Sequence, residues 1–559
     1  MKWYTSSFVL LSIVGCTESP SNTAAEKTTP AIPSPQFVDV TASSGLEDSF
    51  MRSGEMPSTR IIEVKGGGLA VIDFDNDGDL DVCMPNGATL ETPFKGPGAR
   101  LYENLAEQGE GIRFRDVTEG SGLESHRDWS FGVAVGDVNQ DGHDDLVVST
   151  LGANRLYLNT QDDGFVDVSE AWGLTESKAW STSLGLGDLD GDGDLDLYVV
   201  NYLDFDPHSE TPISNFKGIK VLAGPRGMSA TADRIYENVD GRFVDRSEGI
   251  LSALPNRYGL NLAITDFNSD GRLDIYVGND SQANALLRND GDFAFTDVGV
   301  QSGSATNLEG DAQATMGIAV ADVDGNGYPD IYSSNFSNDT NTLHTNLDGR
   351  FFDDRTNRFG LLEGTRPMLG WAAEFGDYDH DGDEDLVLFN GHVYPQATPL
   401  TMDSAYEQPP AYWERIDDRF RLQEDSGLGG PRRDRTAVVF DADLDGDLDI
   451  IAGELNGPLR VYRNITDNDR SLIVRPRPAL GTTIELECIG EDGESLILRR
   501  WIRGGGPFQS TASPEAHFGI PPGAVVKKTR VSWPDGVTRT FEISPGIRRV
   551  DAPRQDAKE

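Results

Sequence analysis

Carboxylates recur along this chain at a spacing that suits a hard divalent cation. In Asp73-Phe74-Asp75-Asn76-Asp77-Gly78-Asp79-Leu80-Asp81, the side chains at positions 1, 3 and 5 converge when the backbone curls. The position-7 carbonyl and the position-9 carboxylate then complete an oxygen set of the kind calcium takes, about six to eight ligands. Gly78 supplies the positive φ that so sharp a turn demands. The same nine-residue pattern returns as Asp137, Asn139, Asp141, His143 and Asp145, as Asp188, Asp190, Asp192, Asp194 and Asp196, and as Asp266, Asn268, Asp270, Arg272 and Asp274. Three more copies are Asp322, Asp324, Asn326, Tyr328 and Asp330, then Asp377, Asp379, Asp381, Asp383 and Asp385, then Asp441, Asp443, Asp445, Asp447 and Asp449.

These are expected to be hairpin loops. An EF-hand needs a glutamate at position 12 and a following helix, whereas Met84, Val199 and Ala452 stand there and short apolar runs follow. Any one loop could be an Asx-turn hairpin without metal, but several carboxylates crowded together repel strongly unless neutralised. The loops opening at Asp73, Asp188, Asp377 and Asp441 have every acidic or glycine position filled; those at Asp137, Asp266 and Asp322 carry fewer charges and are expected to bind more weakly. Up to seven Ca2+ ions would add about +14 to the formal charge of −46, leaving roughly −32.

The elements that must hold these loops are legible as a repeat. Each loop lies between short, partly β-branched apolar runs, such as Gly132-Val133-Ala134-Val135 before and Leu273-Asp274-Ile275-Tyr276-Val277 after. A strand ending in asparagine follows, at Asn104, Asn159, Asn238, Asn289, Asn346 and Asn464; the sixth repeat has Tyr412-Trp413-Glu414-Arg415 instead. An aromatic strand opens at Phe37, Phe114, Phe165, Phe243, Phe295, Phe352 or Phe420, often closed by Gly-Leu. Four short strands per unit, seven times, is the arithmetic of an all-β, seven-bladed β-propeller. Because the first aromatic strand precedes every loop and the last repeat lacks one, the N-terminal strand is expected to complete the last blade and leave no open edge.

The chain is strongly acidic, with 93 Asp and Glu against 47 Lys and Arg, which excludes nucleic acid as a natural partner. Lys2, the apolar run from Phe8 to Val14, and Gly15-Cys16 read as a lipoprotein signal peptide over residues 1–16, with a lipid on Cys16 as the expected membrane contact. Residues 17–36, rich in Pro, Ser and Thr, read as a tether. Export is therefore expected, to the outer membrane or cell surface. Cys83 and Cys488 fall in separate apolar strands and are read as buried thiols.

With these residues in view, 37–466 resembles the FG-GAP/VCBS type of integrin-like propeller. Arg503-Gly504-Gly505-Gly506, His517-Phe518-Gly519 and Val531-Ser532-Trp533-Pro534-Asp535-Gly536 resemble the ASPIC/UnbV domain, over a small β-sandwich at 470–552 ahead of a 553–559 tail. Together they resemble the bacterial cartilage-acidic-protein-like family, which implies extracellular binding or adhesion. Trp533 and His517 are assigned to the sandwich core.

Three functions follow as expectations: a calcium-binding envelope or extracellular protein recognising a glycan or protein ligand, a propeller polysaccharide lyase-like enzyme, and a structural envelope scaffold. No sequence-local catalytic signature is present. The lyase reading would draw on two long insertions, residues 203–233 with His208 and Arg226, and residues 390–412 with His392, Tyr394 and Tyr406. It requires those groups to meet in a concave pocket.

Overall fold

The computed structural model describes residues 36–554, apart from 107–110, 162–163, 175–178, 210–211, 363, 467–469 and 545. The segments read as a signal peptide and most of a tether, and the last residues of the tail, lie outside them. Strands dominate, and they fall into seven antiparallel four-stranded sheets of one design. The first sheet runs Ala70–Ile72, Asp81–Met84, Arg100–Asn104 and Phe114–Asp116 in both sequence and spatial order. In each sheet the acidic loop joins the innermost strand to the second. The seventh takes Asp434–Phe440, Asp449–Glu454 and Leu459–Asn464 from the end of the repeats and Phe37–Asp39 from the beginning, with Phe37 opposite Asn464.

Inner strands are apolar on both faces because each sheet is covered on both sides. Ala70, Ile72, Val133 and Val148 share one cluster across the first and second sheets, and Ala319, Tyr332, Ala373 and Phe375 share another across the fifth and sixth. Val71 and Val82 of the first sheet join Val438 and Ile451 of the seventh in a further cluster.

Two recurrent contacts latch sheet to sheet. The asparagine that ends the third strand donates from Nδ2 to the position-2 carbonyl of the preceding sheet's loop: Asn104 to Ala442, Asn159 to Phe74, Asn238 to Val138, Asn289 to Leu189, Asn346 to Phe267 and Asn464 to Tyr378. At the outer edge, the chain after the aromatic strand lies against the phenylalanine backbone of the next sheet. There a Cβ on Gly427 (φ +87°) would stand 1.9 Å from the Phe37 oxygen, so the glycine of the recurrent Gly-Leu pair is a steric requirement.

Beyond the repeats, Ser471–Arg477, Ala516–Gly519 and Arg549–Pro553 form one sheet, and Ser495–Trp501, Thr483–Ile489, Val525–Ser532 and Thr538–Phe541 a second. Leu472, Ile484, Leu486, Cys488, Phe518, Val531 and Trp533 fill the space between them. Cys83 and Cys488 are both free and buried, and Trp533 lies in this core with its indole N–H on the Pro478 carbonyl.

The segment after Arg503 leaves the sandwich and runs among the inner strands. Gly504-Gly505 pairs with Ile264 and Ala263 as a fifth strand of the fourth sheet. The Gln509 carbonyl accepts from Val133, Thr511 N–H donates to Leu69, Thr436 donates to Phe508, and the Phe508 ring lies 4.8 Å from that of Trp371. Cβ atoms on Gly504 and Gly505 would meet the Leu186 and Leu262 carbonyl oxygens at 2.2 and 2.4 Å. The glycine run noticed in the sequence is thus the only composition that fits this passage.

Asn289→Ala should test the latch. It orphans the buried Leu189 and Leu273 carbonyls, and each lost partner costs roughly 1–3 kcal/mol. The urea midpoint in excess calcium should fall accordingly; an unchanged midpoint would remove the latch from the account.

Candidate functional site

All seven acidic loops share one local geometry. The position-6 glycines, Gly78 through Gly446, lie at φ between +86° and +104°. Position 4 is also left-handed in every loop, at Asn76, Gln140, Gly191, Ser269, Gly325, His380 and Leu444. Such a conformation is uncommon for a residue such as leucine and persists where surrounding contacts fix it. No sequence signal marks position 4, because its residue type varies freely.

The position-9 aspartate fixes the loop from below. In the first repeat, Asp81 Oδ2 accepts from Phe74 N–H at 3.0 Å and Oδ1 from Asn104 N–H at 2.7 Å. Asp145, Asp196, Asp274, Asp330, Asp385 and Asp449 make the equivalent pair of bonds, and in the sixth repeat Arg415 N–H stands where an asparagine N–H stands elsewhere. Each carboxylate therefore binds its own loop to its own third strand.

Above it, five loops bring three carboxylates within 4.8 Å of one another: Asp73, Asp75 and Asp81; Asp188, Asp190 and Asp196; Asp322, Asp324 and Asp330; Asp377, Asp379 and Asp381; Asp441, Asp443 and Asp449. Among the described residues no such group forms at Asp137 or Asp266. There Asn139 and Asn268 replace a carboxylate, Asp137 and Asp266 each accept from two backbone N–H groups, and the Arg272 guanidinium pairs with Asp270. The fifth loop, expected to be among the weaker ones, does gather. Its Asn326 instead donates to the Asn346 carbonyl.

Burial sets the electrostatics of these groups. Loss of solvent pushes Asp145, Asp196 and Asp274 up to about 8 and Asp441 to about 7; Asp194 rises to about 7, first by burial and then through Asp192. The residues fit a divalent cation on a second count. One oxygen of Asp441, Asp443, Asp322 and Asp324 is buried with no hydrogen-bond partner, while the other is paired outward with arginine. Inward oxygens without donors are what an oxygen-coordinated ion would satisfy.

Two of those arginines, Arg499 and Arg549, belong to the sandwich, which brings further arginines to the same loops. Arg477 and Arg475 reach Asp73 Oδ2 at 3.0 and 3.5 Å, Arg549 reaches Asp441 at 3.0 Å, and Arg499 lies 3.8 Å from Asp322. Arg500 pairs with Glu384 at 2.6 Å, and Arg503 with buried Glu374 at 2.5 Å. His517 sits at this seam as well as beside the core: its Nε2 lies 3.0 Å from the Gly446 carbonyl, and burial holds its pKa well below the usual value. A Cβ on Gly519 would stand 2.0 Å from Asp377 Oδ2. The His-Phe-Gly motif is thus shaped to lie on the sixth and seventh loops. Apart from Arg503, which stands in the Arg-Gly-Gly-Gly motif, sequence reasoning missed these arginines because nothing local distinguishes them from surface charge.

Between the first three loops and the sandwich lies a cavity of about 560 Å³. Its walls include Leu80, Asp144, Leu195, Arg477, Leu480 and Trp533.

The insertions named for catalysis meet, with Phe216 rather than His208 or Arg226 against Tyr394. The hairpin Ile213–Phe216 and Ile219–Leu222 brings Phe216 to 5.6 Å from Tyr394, and Lys217 pairs with Asp403 at 2.6 Å. His392 is fully buried, with its Nε2 3.0 Å from the Ser337 hydroxyl and its Nδ1 accepting from Tyr394 N–H; burial, then Arg435, lowers its pKa to about 3. His208 and Arg226 are exposed. The concave His–Tyr arrangement that the lyase reading required is not formed by these groups.

Comparison with known proteins agrees with this anatomy. The FG-GAP-like repeat family matches residues 137–199 and 266–333, and the ASPIC and UnbV family matches 474–559. Cartilage acidic protein 1 of Xenopus tropicalis is 26% identical over 508 residues, covering 86% of this chain and 72% of that protein. Its human counterpart is 26% identical over 516 residues, covering 86% and 70%. Among solved structures, an Agrocybe aegerita lectin that recognises non-reducing terminal N-acetylglucosamine is 16% identical with a TM-score of 0.39, covering 66% of this chain and 88% of that one. Bacillus licheniformis rhamnogalacturonan lyase PL11 is 12% identical with a TM-score of 0.37, covering 75% and 76%.

The seam makes its own prediction. Arg503→Leu leaves Glu374 buried and uncompensated, which should cost about 3–5 kcal/mol, while Arg503→Leu with Glu374→Leu should recover much of that loss. Chemical denaturation of both variants checks it, and equal destabilisation of the two would contradict it.

Proposed function

We propose that this chain, which carries FG-GAP-like repeats and an ASPIC/UnbV segment and is homologous to cartilage acidic protein 1, is an exported calcium-binding protein that recognises a glycan or protein ligand. Its seven sheets are the blades of a closed ring, locked where Phe37–Asp39 completes the seventh. The lipid on Cys16 and the tether hold the body at the outer membrane or cell surface. Residues 37–466 form the propeller and 470–552 the sandwich that caps its loop face.

The observation that carries the metal assignment is the division of labour within single carboxylates. Asp441 and Asp443 each turn one buried oxygen inward without a donor while the other meets Arg549 or Arg463. In this reading Asp73, Asp75 and Asp81, their equivalents in the third, fifth and seventh loops, and Asp377, Asp379 and Asp381 of the sixth supply the principal ligands. Calcium supplies charge that offsets the repulsion within each loop, and loops so stiffened give a rigid face for binding. The acids at Asp137 and Asp266 would fill last.

Metal removal tests it. In calcium the protein should bind several ions and melt at a higher temperature than in chelator, because an ion that binds only the folded state stabilises it by mass action. Asp441→Ala with Asp443→Ala should lower the count of tightly bound ions by one. Equal melting in calcium and chelator, with no ion retained after dialysis, would refute the assignment.

A further inference from the structure

The cavity of about 560 Å³ between the first three acidic loops and the sandwich carries charge of both signs. Six aspartates line it: Asp73, Asp137, Asp144, Asp188, Asp192 and Asp535. Four arginines stand among them, Arg475, Arg477, Arg503 and Arg554. Much of that charge is already paired within the fold. Arg477 meets Asp73 at 3.0 Å, Arg475 meets Glu515 at 2.5 Å and Asp73 at 3.5 Å, Arg503 meets Glu374 at 2.5 Å, and Arg554 meets Asp535. Asp144 feels Arg477 as well as the carboxylates of Asp137 and Asp73.

Such a lining discriminates against net charge. An anion entering it meets six carboxylates and a cation meets four guanidinium groups, whereas a neutral ligand that both donates and accepts hydrogen bonds can use either. A paired carboxylate keeps lone pairs, and a paired guanidinium keeps N–H groups, beyond those its partner takes. The rest of the wall is apolar. Leu195 of the third loop and Ala479 and Leu480 of the sandwich are half-buried there, with Pro478 and Pro534 beside them. Proline lacks an N–H, so the Arg475-Pro476-Arg477-Pro478 run offers few of the main-chain donors that an added peptide strand needs. The loop side has room: a Cβ on Gly142, Gly191 or Gly193 would meet nothing within 4 Å. The cavity volume falls within the roughly 300–1,000 Å³ typical of ligand sites.

We propose that this cavity is a glycan site whose occupant is a neutral saccharide, with hydroxyl groups on the carboxylates and guanidinium groups and C–H faces on Leu195, Leu480 and the prolines. Each sugar hydroxyl donates one hydrogen bond and accepts others, as a serine hydroxyl does. A pyranose is polar around its rim and apolar on its faces, which suits a wall that offers paired charges and aliphatic surface together. Calcium in the loops that own Asp73, Asp137 and Asp188 would bring the lining closer to neutrality. The site deepens the binding reading above by choosing the glycan over the protein, and it rests on that reading, but it does not depend on which acidic loops hold calcium.

The probes are the neutral trisaccharides cellotriose, maltotriose and triacetylchitotriose, titrated calorimetrically into the full mature chain in excess calcium, with trigalacturonate, trilysine and triglycine alongside. Saturable binding of at least one neutral trisaccharide is expected, with each of the other three compounds at least tenfold weaker. Ala479→Trp and Ala512→Trp each place an indole in the cavity and should weaken that binding at least tenfold. Ala253→Trp, on an exposed connection elsewhere, should leave it unchanged, and melting in calcium verifies that every variant is folded. Binding of none of the neutral trisaccharides would overturn the site. Trigalacturonate or trilysine bound as tightly as the sugar would overturn neutrality as the basis of selection, and triglycine bound as tightly would overturn the saccharide as occupant. Saccharide binding that survives both cavity variants would overturn this site while the reading of the protein as a glycan binder stands, so the two failures are distinguishable.

Discussion

A buried carboxylate that accepts two backbone N–H bonds, one on each oxygen, is the interaction on which the rest of this molecule depends. It recurs at the ninth position of each acidic loop, from Asp81 to Asp449, and joins the loop's own backbone to the end of the third strand. Neither a serine nor an asparagine could do this, since both oxygens are needed as acceptors. Where the third strand ends in asparagine, its amide passes the connection on to the neighbouring loop. Loop geometry and sheet-to-sheet spacing are thereby set by the same residues.

That arrangement concentrates negative charge on one face, and the chain answers it from two directions. Guanidinium groups of Arg475, Arg477, Arg499 and Arg549 arrive from the sandwich onto outward-facing oxygens of Asp73, Asp322 and Asp441. The inward-facing oxygens of Asp322 and Asp441 have no protein donor, and the proposed calcium stands there. Among the gathered clusters, Asp188, Asp190 and Asp196 receive no arginine in the described residues. Docking of the sandwich and the proposed filling of the loops by calcium would be two responses to one electrostatic problem, acting on the same carboxylates.

The small domain is therefore fastened to the repeats by more than a linker. Its glycine run threads the inner strands, its arginines reach the loops, and its His517-Phe518-Gly519 segment lies on the sixth and seventh. Only backbone without side chains passes Leu186 and Leu262 at Gly504 and Gly505, and a Cβ on Gly506 would stand 2.5 Å from the Ala512 nitrogen, so three glycines stand in a row.

The amino-acid sequence by itself determined the repeat, the strand order within it, the identity of the strand that completes the last sheet, and which residues sit in the loops. Each of these is written in local spacing: alternation of apolar residues, a glycine where φ must be positive, an aromatic run missing at one end and present at the other. The acidic loops, the free and buried thiols and the Trp533 core were legible in the same way, but which loops gather three carboxylates was not: among the described residues the fifth does, and the second and fourth do not. Only the tertiary structure decided that Asp73 meets arginines some 400 residues further on, that His392 is a neutral buried residue, and that Asp144 lines a cavity while Glu384 pairs with Arg500. Such pairings depend on which surfaces the fold brings together, and no periodicity records them, because the partners share neither neighbourhood nor composition.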